Sequence, residues 1–364
     1  MVDSPSPAKS QASGRIWWFA FGYFASYVPY SLLAKGLSSK DVEGGTRLGS
    51  MSLSGDQILP LATVTSVIGM IIFLSVMRWW PYATQVKVGR LTLPRPRLVT
   101  GLSGVATAVI VITTTLAYTF EGVSVVFAML LMRGGVLLMA PLVDRITGRP
   151  FRSIPWWSWV GSGLALVALL VKFTEDAFAS DDPGSTPVIG ISLAAGINIA
   201  FYLSAYFFRL RWMSNHAKGD AAGGRERRIA FFVEEQMVAT PLALAGLVLL
   251  ALVLPGHLGD DLRFGFVGFW EHLDLILLVV ACGLFSQFSG VFGALVLLEP
   301  QENAFTVPVN RASSVLSGLA ASVLLAEVFD GTMPSVYEFV GAGIIIVAIL
   351  VLSYPSLVKR PRTP

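Results

Sequence analysis

Ten apolar runs of about 20 residues, separated by short polar stretches, leave this chain few ways to fold. A helix of that length spans about 30 Å, the thickness of the hydrocarbon core of a bilayer. The strands of a membrane barrel would instead alternate apolar with polar residues. The runs fall at 16–35, 57–77, 98–118, 122–143, 155–173, 187–208, 230–254, 273–298, 304–325 and 335–354. Charged residues make up 13% of the 364, against about a quarter in a soluble domain. The mean hydropathy is +0.69. The expected fold class is an all-α membrane protein with ten transmembrane helices, integral and multi-pass.

Basic residues decide the orientation, because loops rich in Lys and Arg stay on the cytoplasmic side. With the N-terminus inside, the inner loops collect Lys9 and Arg15; Arg78, Lys87, Arg90, Arg95 and Arg97; and Arg145, Arg149 and Arg152. They also collect Arg209, Arg211, Lys218, Arg225, Arg227 and Arg228, then Lys359, Arg360 and Arg362. The outer side keeps Lys35, Lys40, Arg47, Lys172 and Arg263, together with the acidic stretch from Glu175 to Asp182. Both termini are therefore expected in the cytoplasm, with the chain in the cell's inner (plasma) membrane. The basic loops then face anionic headgroups of the cytoplasmic leaflet, which accounts for them without nucleic acid. Trp17 and Trp18, Trp79 and Trp80, and Trp156 and Trp157 sit at the same helix ends, where indoles anchor at the interface. The polar start MVDSPSPAKSQASGR leads into a full-length span and does not read as a cleavable secretory signal, so residues 1–15 are expected to be a disordered tail.

The acidic linker 174–186 divides the chain into a first five-helix repeat, 16–173, and a second, 187–354, with a basic cytoplasmic tail at 355–364. Five is odd, so a second copy of the unit enters the membrane from the opposite side, and the two copies are inverted repeats. The fourth span of each half carries one arginine, Arg133 or Arg311. Arg133 lies about midway between Glu121 and Asp144, too deep to reach an interface easily, and a guanidinium there costs at least about 2.5–3.5 kcal/mol. Such a residue faces a polar cavity or a buried partner. Gly134 and Gly135 beside it leave room for a neighbouring helix or a ligand.

Other polar residues sort around these two. Asn310 and Ser314 flank Arg311, one turn into a helix interrupted by Pro308, and Gly318 follows on the same face. Asn198 and Tyr202 stand at i, i+4 on the sixth span, Gln287 is in the middle of the eighth, and Tyr23, Tyr27 and Tyr30 cover two faces of the first. Each could line a cavity or hydrogen bond between helices. Glu234 and Glu235, inside the seventh span, read either as a proton-coupling carboxylate or as the counter-ion of an arginine; a third reading has them reach the interface beside Arg227 and Arg228. Pro29, Pro60, Pro141 and Pro241 interrupt spans where kinks are expected. Cys282 stands alone, so neither a disulfide nor a cysteine metal site exists. His216, His257 and His272 have no ligand spacing, and no phosphate loop or nucleophile elbow occurs. No catalytic residues, metal or cofactor are expected.

Three stretches carry a family resemblance: SVVFAMLLMRGGVLLMAPLVDRITGRP at 124–150, ENAFTVPVNRASSVLSGLAASVLLAE at 302–327, and PSVYEFVGAGIIIVAILVLSYP at 334–355. They resemble the fourth, ninth and tenth helices of the drug/metabolite transporter superfamily, which includes EamA-like exporters and the triose-phosphate and nucleotide-sugar carriers. The resemblance implies a ten-helix inverted-repeat carrier with a central cavity and no covalent chemistry. In the triose-phosphate branch, basic residues on the fourth and ninth helices hold phosphate, the places of Arg133 and Arg311. Arg311 here has Asn310 and Ala312 beside it instead of that branch's second basic residue.

The expected function is secondary transport of a small organic anion by alternating access, with no enzymatic activity. Arg133, Arg311, Asn198, Tyr202, Gln287, Asn310 and Ser314 are the expected substrate-binding set. The alternative is a non-transporting membrane protein, an embedded enzyme or a sensor or scaffold, in which Arg133 and Arg311 are structural ion-pair partners. Expected partners are the small-molecule substrate and the anionic headgroups, and the sequence admits a homodimer.

Overall fold

The computed structural model describes residues 7–38, 48, 51–116, 125–147, 156–178, 193–218, 224–329 and 333–358. Within them are eleven α-helices: α1 (Pro7–Ser38), α2 (Gly55–Val76), α3 (Leu98–Leu116), α4 (Val125–Ile146), α5 (Trp156–Phe178), α6 (Leu193–His216), α7 (Gly224–Val253), α8 (His257–Val267), α9 (Leu273–Leu298), α10 (Asn303–Phe329) and α11 (Val336–Val358). A two-stranded antiparallel hairpin, β1 (Gln85–Val88) and β2 (Leu91–Pro94), lies between α2 and α3. Four helices, α2, α7, α9 and α10, are long and apolar enough to cross a membrane. Shorter apolar stretches occupy Leu98–Thr114, Trp156–Val171 and Val336–Leu352. The outer faces carry large apolar side chains in the open, such as Ile68, Ile71 and Ile72 on α2 and Leu249, Leu252 and Val253 on α7.

Each expected span contains a helix, and the differences are at the ends. Helix α1 begins at Pro7, where the sequence reading had a tail up to residue 15; proline is suited to a first helical turn, and Ala8, Gln11 and Ala12 favour helix. Helix α7 starts at Gly224 and so takes in Arg225, Arg227 and Arg228. The expected loop after it holds α8, whose start follows Gly256 at φ 77°, a backbone angle natural to glycine. The helices run through Pro29, Pro60, Pro141, Pro241 and Pro308. Most of the acidic linker, Glu121 and the last six residues lie outside the described residues.

The helices pack as a bundle in which α1 lies on α9 and α10, and α6 lies on α3 and α4. Helix α2 packs on α9 and α3 on α7; α4 meets α5 and α10 meets α11. The pairs α5 with α11, α2 with α7 and α4 with α10 close the arrangement. Two glycines set close approaches between long helices. A Cβ on Gly104 of α3 would come within 2.7 Å of the Glu235 carbonyl on α7, and one on Gly283 of α9 within 2.7 Å of the Ala62 carbonyl on α2. Backbone stands against backbone at both places, so neither crossing has a flexible side chain that could give way. At the Gly283 crossing the Ser66 hydroxyl also donates to the Gly283 carbonyl at 3.1 Å.

Polar residues fix the ends. Ser54 and Gln57 form a reciprocal capping box at the start of α2, and Asp261 of α8 accepts from the Ser54 hydroxyl at 3.0 Å and the Gln57 amide at 2.8 Å. One carboxylate holds the hairpin. Glu234 of α7 accepts from the backbone N–H of Thr84 at one foot and of Arg97 at the other, and from the Thr84 and Thr100 hydroxyls. A lone hairpin is marginal in water, so this anchoring is what keeps β1 and β2 in place.

Gly283→Ala is expected to cost about 1–3 kcal/mol, because the added methyl meets backbone that can only separate by moving a whole helix. A thermal unfolding midpoint equal to wild type in detergent would refute this account of the crossing.

Candidate functional site

Arginines in this bundle are of two kinds. Arg209 on α6 is neutralised: its Nε and Nη2 donate to Glu235 at 2.8 and 3.2 Å, while the Ser103 and Thr107 hydroxyls of α3 donate to the same carboxylate. Arg97, which is exposed, is likewise paired, its Nε donating to Glu234 at 2.9 Å. Both carboxylates are fully buried. Of the readings open for Glu234 and Glu235, the geometry matches that of counter-ion. Their partners are Arg97 and Arg209, which in sequence look like lipid-facing loop cations, and not Arg227 or Arg228.

Arg133 and Arg311 are of the other kind. Arg311, on α10, donates through Nη2 to the Tyr206 hydroxyl at 3.0 Å, with its guanidinium carbon 5.4 Å from the centre of the same ring. Its Nε is buried and has no hydrogen-bond partner. Arg133 is half-buried on α4 and makes no hydrogen bond or ion pair among the described residues. Tyr23 on α1 and Tyr202 on α6 lie within electrostatic range of both guanidiniums. The tyrosines pair: Tyr23 with Tyr27 at 5.4 Å between ring centres, and Tyr202 with Tyr206 at 4.9 Å. Neither arginine has a carboxylate partner among the described residues, the partner a purely structural ion pair would require.

The other expected site residues are distributed unevenly around this group. Asn310 lies close to it: its Nδ2 donates to the Gly293 carbonyl at 3.2 Å, and a Cβ on Gly293 would touch both Asn310 and the Tyr23 ring. Ser314 donates to the carbonyl of Arg311 at 2.7 Å, which is helix back-bonding. Asn198 donates to the Thr113 carbonyl at 2.8 Å and joins α6 to α3, and Gln287 donates to the Met70 sulfur at 3.4 Å and joins α9 to α2. These last two are interhelical ties. Gly135 faces Leu203 of α6 and Gly134 faces Leu166 of α5, so the glycine pair beside Arg133 admits helices. Tyr206 escaped the sequence reading although it continues the i, i+4 series from Asn198 through Tyr202.

Clefts lie toward both ends of the bundle. One, of about 230 Å³, is lined by Tyr30, Lys35, Ile58, Thr63, Ser66 and Ser286 among others. Lys35 bonds there to Ser322 across α1 and α10. At the other end, the turn between α9 and α10 is tied down. Asp144 accepts from the backbone N–H groups of Asn303 and Ala304 at 3.0 and 2.7 Å and so caps α10 from another helix. Lys218 donates to the Asn303 side chain at 2.7 Å and to the Gln301 carbonyl at 3.2 Å. Beside them Glu299 meets Arg15 at 3.1 Å, yet its second oxygen is buried and unbonded. Burial therefore outweighs Arg15 and holds the Glu299 carboxyl above its ordinary value of 4.5.

Removing one partner of the enclosed pair is expected to be severe. Arg209→Ala leaves Glu235 buried without its counter-charge, at a cost of about 3–5 kcal/mol, whereas a double Arg209→Met, Glu235→Leu variant recovers most of it. Equal thermal midpoints for single and double variants would contradict this. For Glu299 the raised value means the folded state holds its proton where the unfolded chain has released it. Its contribution is thus full below 4.5 and declines as the pH rises through the folded value. Wild type should lose thermal stability relative to Glu299→Gln on going from acid to neutral pH; a constant difference would refute the assignment.

No family model and no curated protein matches the chain. Among solved structures eighteen chains match. One of them, described only as the crystal structure of a protein, is 14% identical, with a TM-score of 0.50 over 92% of this chain and 98% of its own. At that identity the likeness is one of fold alone.

Proposed function

We propose that the protein is a multi-pass membrane carrier for a small organic anion, built as two inverted five-helix repeats that rock about a shared central site. The observation that carries this is the contrast among its arginines. Arg97 and Arg209 have carboxylates, whereas Arg133 and Arg311 converge on tyrosines with no counter-charge among the described residues. Two guanidiniums in an apolar bundle are costly unless something anionic visits them.

The packing supports the repeat. Exchange α1–α5 for α6, α7, α9, α10 and α11, and the main pairs map onto one another: α1 on α9 becomes α6 on α3, α1 on α10 becomes α6 on α4, and α2 on α9 becomes α7 on α3. The pairs α5 with α11, α2 with α7 and α4 with α10 map onto themselves, as contacts across a two-fold axis do. The two tight crossings are also exchanged, and Gly104 and Gly283 are their counterparts. Exposed apolar side chains on the outer faces, the four long apolar helices and the basic loops support a membrane setting with the N-terminus in the cytoplasm.

Reconstituted in liposomes, the protein should accumulate carboxylates or phosphate esters from a labelled panel in preference to neutral and cationic compounds. Arg133→Gln and Arg311→Gln should each reduce that uptake at least about tenfold, as expected when a charged hydrogen-bond donor is lost. They should still elute as folded, monodisperse protein. Uptake confined to neutral or cationic compounds, or undiminished in both variants, would overturn the proposal.

A further inference from the structure

The two tyrosine pairs and the two arginines stand in register. Tyr23 with Tyr202, Tyr27 with Tyr206 and Gly104 with Gly283 all share one constant offset in the numbering, and Arg133 with Arg311 departs from it by a single residue. Each half therefore supplies the same set: two tyrosines in ring contact one turn apart on its first helix, and an arginine on its fourth. The sets are equivalent in sequence position but not in bonding. Arg311 is held by Tyr206, while Arg133 is unbonded and the Tyr27 hydroxyl makes no hydrogen bond among the described residues. Two half-sites with the same tyrosines and arginine, one with its arginine held and the other with its arginine open, fit a single conformation of a two-state device.

From this asymmetry we infer that Tyr27 and Tyr206 are paired binding-site residues that hold the two arginines in turn. In the present conformation Tyr206 retains Arg311 and leaves Arg133 free for the ligand's negative group. In the conformation open to the other side, Tyr27 retains Arg133 and Arg311 is the free cation. The inference rests on the inverted-repeat reading above, since only an inverted repeat converts one conformation into the other by exchanging the states of its halves. The exchange keeps the cost of a buried guanidinium nearly level through the cycle, because one arginine always has a phenolic oxygen and the other always awaits the ligand. It also makes Tyr206 and Tyr27 opposite in effect: loss of the first destabilises the present conformation, and loss of the second destabilises its mirror.

The test reads conformation without any ligand. Cys282 is the sole cysteine and is buried, so a Cys282→Ala background admits a single reporter. Thr63→Cys, in the cleft beside Tyr30 and Lys35, reports by its rate of labelling with a water-soluble maleimide. Losing a hydrogen bond to a charged group shifts a two-state balance by about tenfold or more. Tyr206→Phe should slow labelling as the cleft closes, whereas Tyr27→Phe should leave it unchanged or faster. Tyr206→Gln, which keeps an oxygen to accept from Arg311, should bring the rate back toward that of the background protein. If both phenylalanine variants move the rate in the same direction, or neither moves it, the exchange is wrong. A Tyr206→Gln rate equal to that of Tyr206→Phe would also count against it. Slower labelling in Tyr206→Phe but not in Tyr27→Phe, with no anion uptake, would retain the exchange and discard the anionic substrate; anion uptake without that difference would do the reverse.

Discussion

A guanidinium enclosed in an apolar bundle calls for an acceptor, and the way this chain pairs some of its arginines and leaves others open organises the molecule. Glu235 answers Arg209 with both oxygens, and two α3 hydroxyls complete the carboxylate's shell. Glu234 answers Arg97 and at the same time collects both feet of the hairpin. These adjacent residues on one helix face different neighbours, because successive side chains on a helix point about 100° apart. Arg311 receives only a phenolic oxygen, and Arg133 receives no acceptor among the described residues. Neutralised charge in the bundle thus serves as framework, and charge left open is what the proposed transport site is built from.

Close helix approach serves the same end. Gly104 and Gly283 bring α3 against α7 and α9 against α2 with backbone on backbone, and Gly293 lets α9 lie directly against Tyr23 and Asn310. A larger residue at any of these positions would push a helix outward and widen the group of tyrosines around the arginines. Cohesion in such a bundle comes from packing and interhelical hydrogen bonds more than from the exclusion of water, so the ties from Asn198 to Thr113 and from Asp144 to the start of α10 belong to the structure's stability. At the far end, Lys218 and Asp144 tie down the turn between α9 and α10 beside one cleft, and a second cleft lies at Tyr30 and Lys35. In the proposed cycle these two ends would exchange.

Much of the architecture could be read from hydropathy, because an apolar run of about 20 residues has almost no alternative to a helix. The helix ends were less legible. Polar residues such as Arg225 and Arg228 continue α7 without any apolar signal, and α8 is short and only half apolar. Of the candidate site, Arg133 and Arg311 could be singled out, since a charge in the middle of an apolar run is conspicuous. The i, i+4 step from Tyr202 to Tyr206 was available as a signal but was one turn too long for the pattern considered. Asn198 and Gln287 had the same polarity as a binding residue and proved to be interhelical ties, a distinction that depends on what the opposite helix presents.

By itself the sequence determined the apolar helices, the two arginines that break their pattern and the charge bias of the loops, because each follows from local composition against the cost of burial. Only the tertiary structure decided which carboxylate meets which arginine. Arg97 and Arg209 are far from Glu234 and Glu235 along the chain and resemble ordinary loop cations, and only the packing of α3, α6 and α7 brings them within 3 Å. The same packing left Arg133 and Arg311 among tyrosines instead of carboxylates, since pairing across a bundle is fixed by which helices touch and not by any property the residues carry on their own.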